Sequence, residues 1–399
     1  MRRGQNMISA HRQNQHLILR NILQRPGIAR QTLSELIGLT PASITNLTGS
    51  LLRGGWIAEE GQVSGPRTVG RPSIGIRIAT GTHYMGAVYL QRRRISVGLA
   101  ELDGTMVVRF DADLEDRPDP RETVKQMGGM LEAAIRKIRP PHLLGVGVGA
   151  SGIVDYPAAA IRVAPRYGWS NVPLGDWLSK DLQLPVVVDN NTRGMALAEQ
   201  LLSMHREVRW LAFLYIGRGM AAGVWADGRI YRGSRGIGGE VGHTTVFADG
   251  ERCWCGNRGC LELYLGEDTI RARTGVSDDI PVEQAIEQAS SALREEIVHL
   301  VTTALVNLDN IYNPEVIVLG GWVDRAWPIL REAVTDELSI RTTYWPHPVR
   351  VVASSFGEGI GLTGAAVIGL GQLVYGVGEE DWHPPASLPR EWSLSGPSL

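Results

Sequence analysis

Apolar positions near the amino terminus follow helical spacing. A first helix is predicted around Leu17–Leu23, where apolar residues recur every three or four positions, and Pro26-Gly27 ends it. A second helix is predicted to begin near Arg30, without a capping Ser or Thr before it, and Gly38-Leu39 supplies the short turn that follows. The inner face of this second helix is predicted to consist of Leu33, Leu36 and Ile37.

The third predicted helix has a well-specified start. Thr40 is a good N-cap, and Pro41 suits the first helical position because its missing N–H costs nothing there. Short polar side chains on the outer face would let this helix lie deep in a major groove, where Asn46 could bond to adenine. The predicted inner residues are Ile44, Leu47 and Leu51, and the predicted outer residues are Ala42, Ser43, Thr45, Asn46 and Thr48.

Two segments after the third helix alternate like the strands of a hairpin. They are Trp56–Glu60 and Ile74–Ile78, and a loop rich in Gly, Pro and Arg joins them. Such a loop can place arginines against phosphates or in a narrow minor groove. The alternative is a generic helical subdomain with a solvated loop. The predicted DNA-binding residues are Arg30, Ser43, Thr45, Asn46, Arg67 and Arg71.

Charge is divided unevenly along the 399 residues. Residues 1–72 hold nine arginines and three glutamates, a net charge of +6, whereas the remainder carries −8. A basic amino-terminal segment on an acidic body favours contact with a polyanion through that segment. The first residues lack the apolar core of a signal peptide, and no apolar run reaches the roughly 20 residues that cross a bilayer, so a cytoplasmic protein without membrane contact is predicted.

A cluster of soft metal ligands is the strongest chemical signal in the sequence. Cys253, Cys255 and Cys260 are too few and too close for a disulfide framework, and His243 precedes them. One imidazole and three thiolates form a tetrahedral set that suits zinc, with no position left open for a catalytic water. A structural zinc site is therefore predicted, and free thiols in a reduced loop are the alternative.

Beyond residue 80 predicted strands alternate with helices, which indicates an α/β fold of two or three compact units in total. The strands are predicted at Met85–Leu90, Ser96–Glu101, Leu144–Gly149, Pro185–Val188, Leu211–Ile216, Val316–Leu319 and Val349–Ala353.

This region carries a series of motifs in a fixed order. They are Leu102-Asp103-Gly104, Ser151–Asp155, Tyr167-Gly168-Trp169, Val172-Pro173-Leu174, Asp189-Asn190-Asn191, Gly239–His243, the cysteine cluster and Pro314–Gly321. The motifs resemble those of the ROK family, which is named for repressors, open reading frames and sugar kinases. The resemblance covers nearly the whole chain and implies a two-lobed, actin-like ATPase (ribonuclease H-like) body behind a winged helix-turn-helix.

The resemblance also implies the domain boundaries. We expect a DNA-binding domain at residues 1–78 and a kinase-like body at residues 79–379. Within the body, lobe 1 would span about 79–195 together with a carboxy-terminal helix at 360–379, and lobe 2 about 196–359. Residues 380–399 are rich in Pro and Ser and are predicted to be a disordered tail.

By the same resemblance, a sugar site is expected. It would consist of Asn190, Glu240, His243 and Glu262, with Asn191 beside them. Carboxylates and an amide can satisfy vicinal hydroxyls directionally. Each residue also has a structural alternative, since Glu240 could cap a turn and Asn190 could bond its own backbone.

Two departures from the family's kinases indicate that phosphotransfer has been lost. ROK kinases use as base the aspartate that closes a Glu-Asn-Asp motif, but here Asn191 stands in that place, and an amide is not basic. Their first phosphate-binding hairpin carries aspartate and glycines, whereas Tyr89–Arg94 has neither. No ATP cofactor and no catalytic residue are therefore predicted.

The sequence thus predicts a sugar-responsive transcription regulator, a repressor, that binds double-stranded operator DNA as a homodimer or homotetramer. One alternative is an ATP-dependent hexose kinase with a DNA-binding head. Another is a regulator that is controlled by a protein partner instead of a sugar.

Overall fold

The computed structural model describes residues 7–62, 74–277, 280–342 and 348–377. These divide into two compact units, one with residues up to Asn191 together with those from Ala365 onward, and the other spanning Thr192–Gly364. The predictions for Arg67, for Arg71 and for the tail at 380–399 lie outside the described residues. Within the described parts of the chain, no helix is both long and apolar enough to cross a membrane.

The amino-terminal part of the first unit consists of three helices and a small antiparallel sheet with strand order β1-β3-β2. The predicted helices and both hairpin strands are present. Their bounds are α1 Met7–Gln24, β1 Ile28–Ala29, α2 Arg30–Ile37, α3 Pro41–Arg53, β2 Ile57–Gln62 and β3 Ile74–Ile78.

Local capping explains where α2 and α3 begin and end. The Thr40 side chain accepts a hydrogen bond from the Ser43 N–H, and Pro41 is the first residue of α3, as predicted. Ala29 precedes α2 and makes no side-chain cap, also as predicted. Gly38 ends α2 in the left-handed region at a φ of +75°, which glycine adopts without strain.

Two side-chain predictions in this part were wrong. Thr48 is fully buried, because its hydroxyl donates to the Ile44 carbonyl at 2.7 Å and accepts from the Arg30 Nε at 3.1 Å. Leu36 is half exposed, because α2 ends at Ile37 and only Leu33 of the predicted inner stripe is fully buried. The inner residues of α3, namely Ile44, Leu47 and Leu51, are buried as predicted.

The rest of the first unit contains a mixed five-stranded sheet with order β11-β7-β4-β5-β6 and a small antiparallel sheet with order β10-β9-β8. Strands β4, β7 and β11 run parallel. The elements are β4 His83–Gln91, β5 Arg94–Glu101, β6 Met106–Asp113, α4 Pro120–Ile138, β7 His142–Ala150, β8 Ile153–Asp155, β9 Ala160–Ala164, β10 Trp169–Val172, α5 Leu174–Leu182 and β11 Val186–Asn190.

The second unit is built on a five-stranded sheet with order β14-β13-β12-β15-β16, and its core includes the fully buried Trp322. Its elements are α6 Asn191–Leu202, β12 Trp210–Ile216, β13 Met220–Ala226, β14 Arg229–Ile230, α7 Glu262–Leu265, α8 Glu267–Thr274, α9 Val282–Glu287, α10 Ser291–Tyr312, β15 Val316–Gly321, α11 Trp322–Arg341, β16 Arg350–Ala353 and α12 Ile360–Leu373. Two of these helices cross the boundary between the units, because the first residue of α6 and the residues of α12 from Ala365 onward belong to the first unit.

Glycines on β7 bring α12 into direct contact with the first unit's sheet. Gly145, Gly147 and Gly149 share one face of the strand, since side chains alternate along it. A Cβ at Gly147 would lie 2.0 Å from the Ala365 carbonyl oxygen and 2.6 Å from the Gly369 nitrogen. The intervening valines, Val146 and Val148, belong to the core cluster that includes residues of α4 and α5. The helix therefore packs backbone against backbone on β7.

Residues just after α12 contact the amino-terminal helix. A Cβ at Gly376 would lie 2.7 Å from the Nδ1 of His16, which lies on α1, and Gly376 has a φ of +63°. The neighbouring Tyr375 is buried and donates a hydrogen bond to the Leu102 carbonyl. The amino-terminal helices and the sheet are thus linked through the chain that follows α12.

A stack of three rings also joins the amino-terminal elements to the sheet. The ring of Trp56 lies 4.0 Å from that of His83, and His83 lies 5.0 Å from His142. Burial, together with the neighbouring His142, lowers the pKa of His83 to about 4, against a smaller opposing effect of the Gly55 backbone. His83 is therefore neutral in the folded chain near neutral pH.

We expect Gly147→Ala to destabilise the protein by at least about 1–3 kcal/mol, because its Cβ would overpack the contact with α12. Gly129→Ala is the matched control, since Gly129 lies in the middle of α4 with no atom within 4 Å of its Cβ position. That change should raise the free energy of unfolding by up to about 1 kcal/mol. Urea denaturation measures both, and equal stabilities would contradict the close packing.

The stack predicts a pH dependence of stability. The pKa of an unfolded histidine is about 6.5. Between that pH and about 4, the unfolded chain therefore binds a proton at this residue that folded His83 does not bind. The free energy of unfolding should fall as the pH drops through this range, and His83→Phe should reduce the slope. Urea denaturation across the range tests this, with His299→Phe on the exposed side of α10 as the control. Identical slopes for wild type and His83→Phe would contradict it.

Candidate functional site

The outer face of α3 carries short polar side chains. Thr45 and Asn46 are exposed and Ser43 is half-buried. The Thr45 hydroxyl donates to the Pro41 carbonyl at 2.8 Å, and the Ser43 hydroxyl lies 2.9 Å from that of Thr40. These local bonds hold the two hydroxyls close to the helix backbone, whereas the Asn46 side chain is exposed.

Arg30, which the sequence places in the DNA-binding set, is held by neighbouring side chains. Its Nη2 lies 3.0 Å from the Glu59 carboxylate on β2, and its Nε donates to Thr48. The Arg30 side chain as a whole remains 30% exposed. A phosphate could therefore approach Arg30 only in competition with Glu59.

His243, Cys253, Cys255 and Cys260 converge as the sequence predicts. Their ligand atoms all lie within 4.8 Å of one another. The Cys253 Sγ is 3.7 Å from the His243 Nδ1, and the Sγ atoms of Cys255 and Cys260 are 3.7 Å apart. One nitrogen and three sulfurs at this separation fit a soft or borderline divalent cation. These four residues could hold a metal ion.

Tight turns bring these four residues together. His243 ends the short helical turn Val241–His243, and the Cys253 N–H donates to the Asn257 carbonyl at 2.8 Å. Gly259 has a φ of +61°, and a Cβ there would lie 1.7 Å from the Phe247 carbonyl oxygen. Only glycine fits at that position, so the residue just before Cys260 is required by the fold of the loop.

The two buried thiols, Cys253 and Cys260, would depend on a cation for their charge. Burial, with the neighbouring Cys255 and Cys253 thiols, raises the pKa of Cys260 to about 12. Burial likewise raises the pKa of Cys253. Since a coordinating cation deprotonates a thiol outright, a bound metal would reverse this preference and supply the charge that the buried sulfurs otherwise lack.

Glu262 is held at both carboxylate oxygens beside the cysteine cluster. It is buried at the start of α7, where its Oε2 accepts from the Met220 N–H at 2.9 Å. Its Oε1 accepts from the indole Nε1 of Trp254 at 3.1 Å. Trp254 also packs edge-on against the ring of His243, with centroids 4.8 Å apart. Two predicted sugar-binding residues, His243 and Glu262, therefore share a neighbour.

Glu240 lies near a buried guanidinium. Burial raises the pKa of Glu240, the Arg193 charge opposes this, and Glu262 adds to it. Arg193 on α6 donates to the Gly236 carbonyl at 2.5 Å, which anchors it under the loop that carries Glu240. Arg193 and Trp254 were missed by sequence reasoning. The position of Trp254 between two ligand cysteines was a usable signal, whereas nothing in the sequence marked Arg193.

Asn190 and Asn191 lie in the first unit, where β11 meets α6. The Asn190 side chain donates to the Gly152 carbonyl at 3.1 Å, and Asn191 donates to the Ser151 hydroxyl at 3.1 Å. Asp189 accepts from the Asn190 N–H at 2.8 Å. The three sugar-site residues Glu240, His243 and Glu262 belong to the second unit.

The hairpin between β4 and β5 is held by ion pairs. Arg93 has a φ of +62°, and its Nε donates to the Asp116 carboxylate at 2.7 Å. Arg92 approaches the same carboxylate at 3.8 Å, and Arg94 pairs with Asp111 at 3.2 Å. The arginines at this turn thus face carboxylates, which disfavours a phosphate beside them.

Comparison with known proteins connects this chain to regulators and to enzymes. The sequence profile of the ROK family matches residues 86–371. A xylose repressor from Caldicellulosiruptor bescii is 28% identical over 330 residues, covering 77% of this chain and 82% of the relative. A glucokinase from Thermotoga maritima is 28% identical over 302 residues, covering 68% of this chain and 93% of the relative.

Among solved structures, a ROK family transcriptional regulator described as a homologue of the E. coli MLC protein aligns with a TM-score of 0.74 at 26% identity. The alignment covers 90% of this chain and 96% of that one. A match of that extent includes residues of the amino-terminal elements as well as the α/β body.

We expect the purified protein to contain about one transition-metal ion per chain, because three thiolates and an imidazole bind such ions tightly. His243→Ala should weaken metal binding at least tenfold in a chelator competition, whereas His299→Ala, an exposed histidine on α10, should leave it unchanged. Elemental analysis gives the stoichiometry. Three freely titrating thiols in a metal-free wild-type protein would contradict the site.

Proposed function

The chain belongs to the ROK family, and on this premise we propose that it is a sugar-responsive transcription regulator, a repressor that binds operator DNA. The observation that carries the proposal is the amino-terminal group of α2, α3 and the β2–β3 hairpin, with the polar face of α3 outermost. Its order of elements is that of a winged helix-turn-helix, in which α3 is the recognition helix. It would bind this DNA in the cytoplasm.

The operator contacts would come from α3 and from the loop between β2 and β3. Ser43, Thr45 and Asn46 would face base edges, and Arg30, Arg67 and Arg71 would contact phosphates or the minor groove. A homodimer or homotetramer would read two half-sites about 10 bp or a multiple of that apart. The +6 charge of residues 1–72 supports this assignment.

A sugar effector would bind at Asn190, Asn191, Glu240, His243 and Glu262. The xylose repressor among the relatives makes D-xylose the first sugar to try, and the glucokinase makes D-glucose the second. Release from DNA requires only that the sugar bind one conformation of the body better than another. A coupling free energy of about 1–3 kcal/mol between sugar binding and DNA binding changes operator affinity roughly 5- to 150-fold.

The metal would be a structural zinc ion. The four ligands are all protein side chains, so no position is left for an activated water. Zinc would supply the positive charge that keeps the buried thiolates ionised and would fix the loop that carries Trp254. His243 would serve both the ion and the sugar.

Phosphotransfer is absent in this proposal. The Asn191 amide at the start of α6 donates to Ser151 and cannot take a proton from a sugar hydroxyl. The turn at Arg92 and Arg93 points its charges at Asp116, where the family's kinases need a turn open to phosphate. The glucokinase match also leaves about a third of this chain uncovered, in contrast to the regulator structure.

A gel-shift titration on a fragment selected from genomic DNA tests the proposal. Asn46→Ala should weaken operator binding by about 1–3 kcal/mol, the cost of losing one base contact. Thr45→Ala should also weaken it, whereas Thr335→Ala on α11 should not. The two threonines are matched, since each is exposed and donates to the carbonyl four residues earlier, at 2.8 and 2.6 Å.

In the same titration, D-xylose or D-glucose should release the DNA. If no sugar changes operator affinity, sensing through the sugar residues is wrong, and control by a protein partner takes its place. If magnesium ATP and D-glucose give phosphorylated sugar, and Asn191→Ala abolishes that turnover, the chain is instead a hexose kinase with a DNA-binding head.

A further inference from the structure

We propose that Trp254 is a positioning residue that holds Glu262 in the orientation needed for sugar binding, and that the bound metal controls sugar affinity through Trp254. The inference rests on the proposed function and extends it, since His243 alone would otherwise connect the ion to the sugar. Trp254 stands between two of the cysteine ligands, and its side chain reaches the carboxylate of Glu262.

The hydrogen bonds at Glu262 define a directed carboxylate. One oxygen accepts from the backbone N–H of Met220, the first residue of β13, which pairs with Ile216 of the central strand β12. The other accepts from the Trp254 indole at 3.1 Å. Each donor fixes the direction of one carboxylate oxygen, because an ionised carboxylate only accepts hydrogen bonds. Without the indole, Oε1 would lose this donor.

Residues 253–260, which carry the three cysteines and are here called the metal loop, fix Trp254. The side chain is 52% exposed, so packing alone does not hold it. Two interactions orient it, namely the edge-on approach to the His243 ring at 4.8 Å and the hydrogen bond to Glu262. Both neighbours in sequence, Cys253 and Cys255, are ligands, and so is His243. A bound ion would therefore fix the backbone on both sides of Trp254 and the ring against which it packs.

The structural alternative is a surface tryptophan whose bond to Glu262 contributes little. Two properties distinguish the alternatives. If Trp254 positions Glu262, metal removal must change the environment of its indole N–H. The combined effect of metal removal and Trp254→Phe on the free energy of sugar binding must also be smaller than the sum of the two separate effects. A side chain without this role gives independent effects, because non-interacting changes add in free energy.

The first measurement uses no sugar. In the full chain labelled with ¹⁵N at its 11 tryptophans, the Trp254 indole signal is identified by its loss in Trp254→Phe. We expect metal removal by a chelator to shift this signal and to speed its hydrogen exchange. Glu262→Ala should shift it even in the metal-loaded protein. The Trp177 signal, from α5 of the first unit, is the control and should stay unchanged.

The second measurement is the affinity for D-xylose and D-glucose by calorimetry. In the metal-loaded protein, Trp254→Phe should bind about tenfold more weakly, the scale of one hydrogen bond to a charged group, while Trp177→Phe should match wild type. Metal content should be unchanged, because no ligand is altered. After metal removal, the difference between wild type and Trp254→Phe should disappear.

The outcomes separate this inference from the proposed function. An indole signal that ignores metal removal overturns the inference, as does a tenfold effect of Trp254→Phe that persists in the metal-free protein. Wild-type affinity in Trp254→Phe also overturns it. If wild type binds neither sugar, the sugar-sensing proposal fails and the positioning role falls with it, whereas a metal-dependent indole signal would still establish the link from the metal loop to Glu262.

Discussion

The first unit depends on a contact in which two backbones touch. Three glycines at alternate positions of β7 leave one face of the strand without side chains, and α12 fills that space. The valines between them fill the opposite face, so one short sequence serves two different packing surfaces. Because α12 begins in residues of the second unit and ends in the first, this contact also anchors the segment that connects them.

The metal loop has a comparable role in the second unit. Its sulfur atoms converge through turns that only glycine permits, and its one aromatic side chain reaches a buried carboxylate. The loop therefore does more than bring possible metal ligands together. It places an indole donor beside Glu262, while Met220 of β13 supplies the second donor from the sheet. A strand of the sheet and the loop of clustered cysteines thus both donate to one acidic side chain.

The sequence predicted features that depend on local rules. The start of α3 follows from Thr40 and Pro41, and the ligand cluster follows from cysteine spacing. Features that depend on distant neighbours were not predictable. Thr48 looked outward by helical periodicity, but Arg30 from the preceding helix bonds to its hydroxyl and buries it. The bonds of Glu262 to Trp254 and Met220 likewise require the folded chain, since sequence gives the residues without their directions.

The contact between Gly376 and His16 also bears on how the protein is made. These residues are separated by almost the whole described chain, and a ribosome adds roughly 5–20 residues per second. The amino-terminal helix therefore waits on the order of 20–70 s for its last neighbour to be synthesised. During translation the nascent amino-terminal helices lack this support, and long-range contacts of this kind form slowly. Complete docking of α1 therefore requires a residue that is translated about 360 positions later, near the end of the described part of the chain.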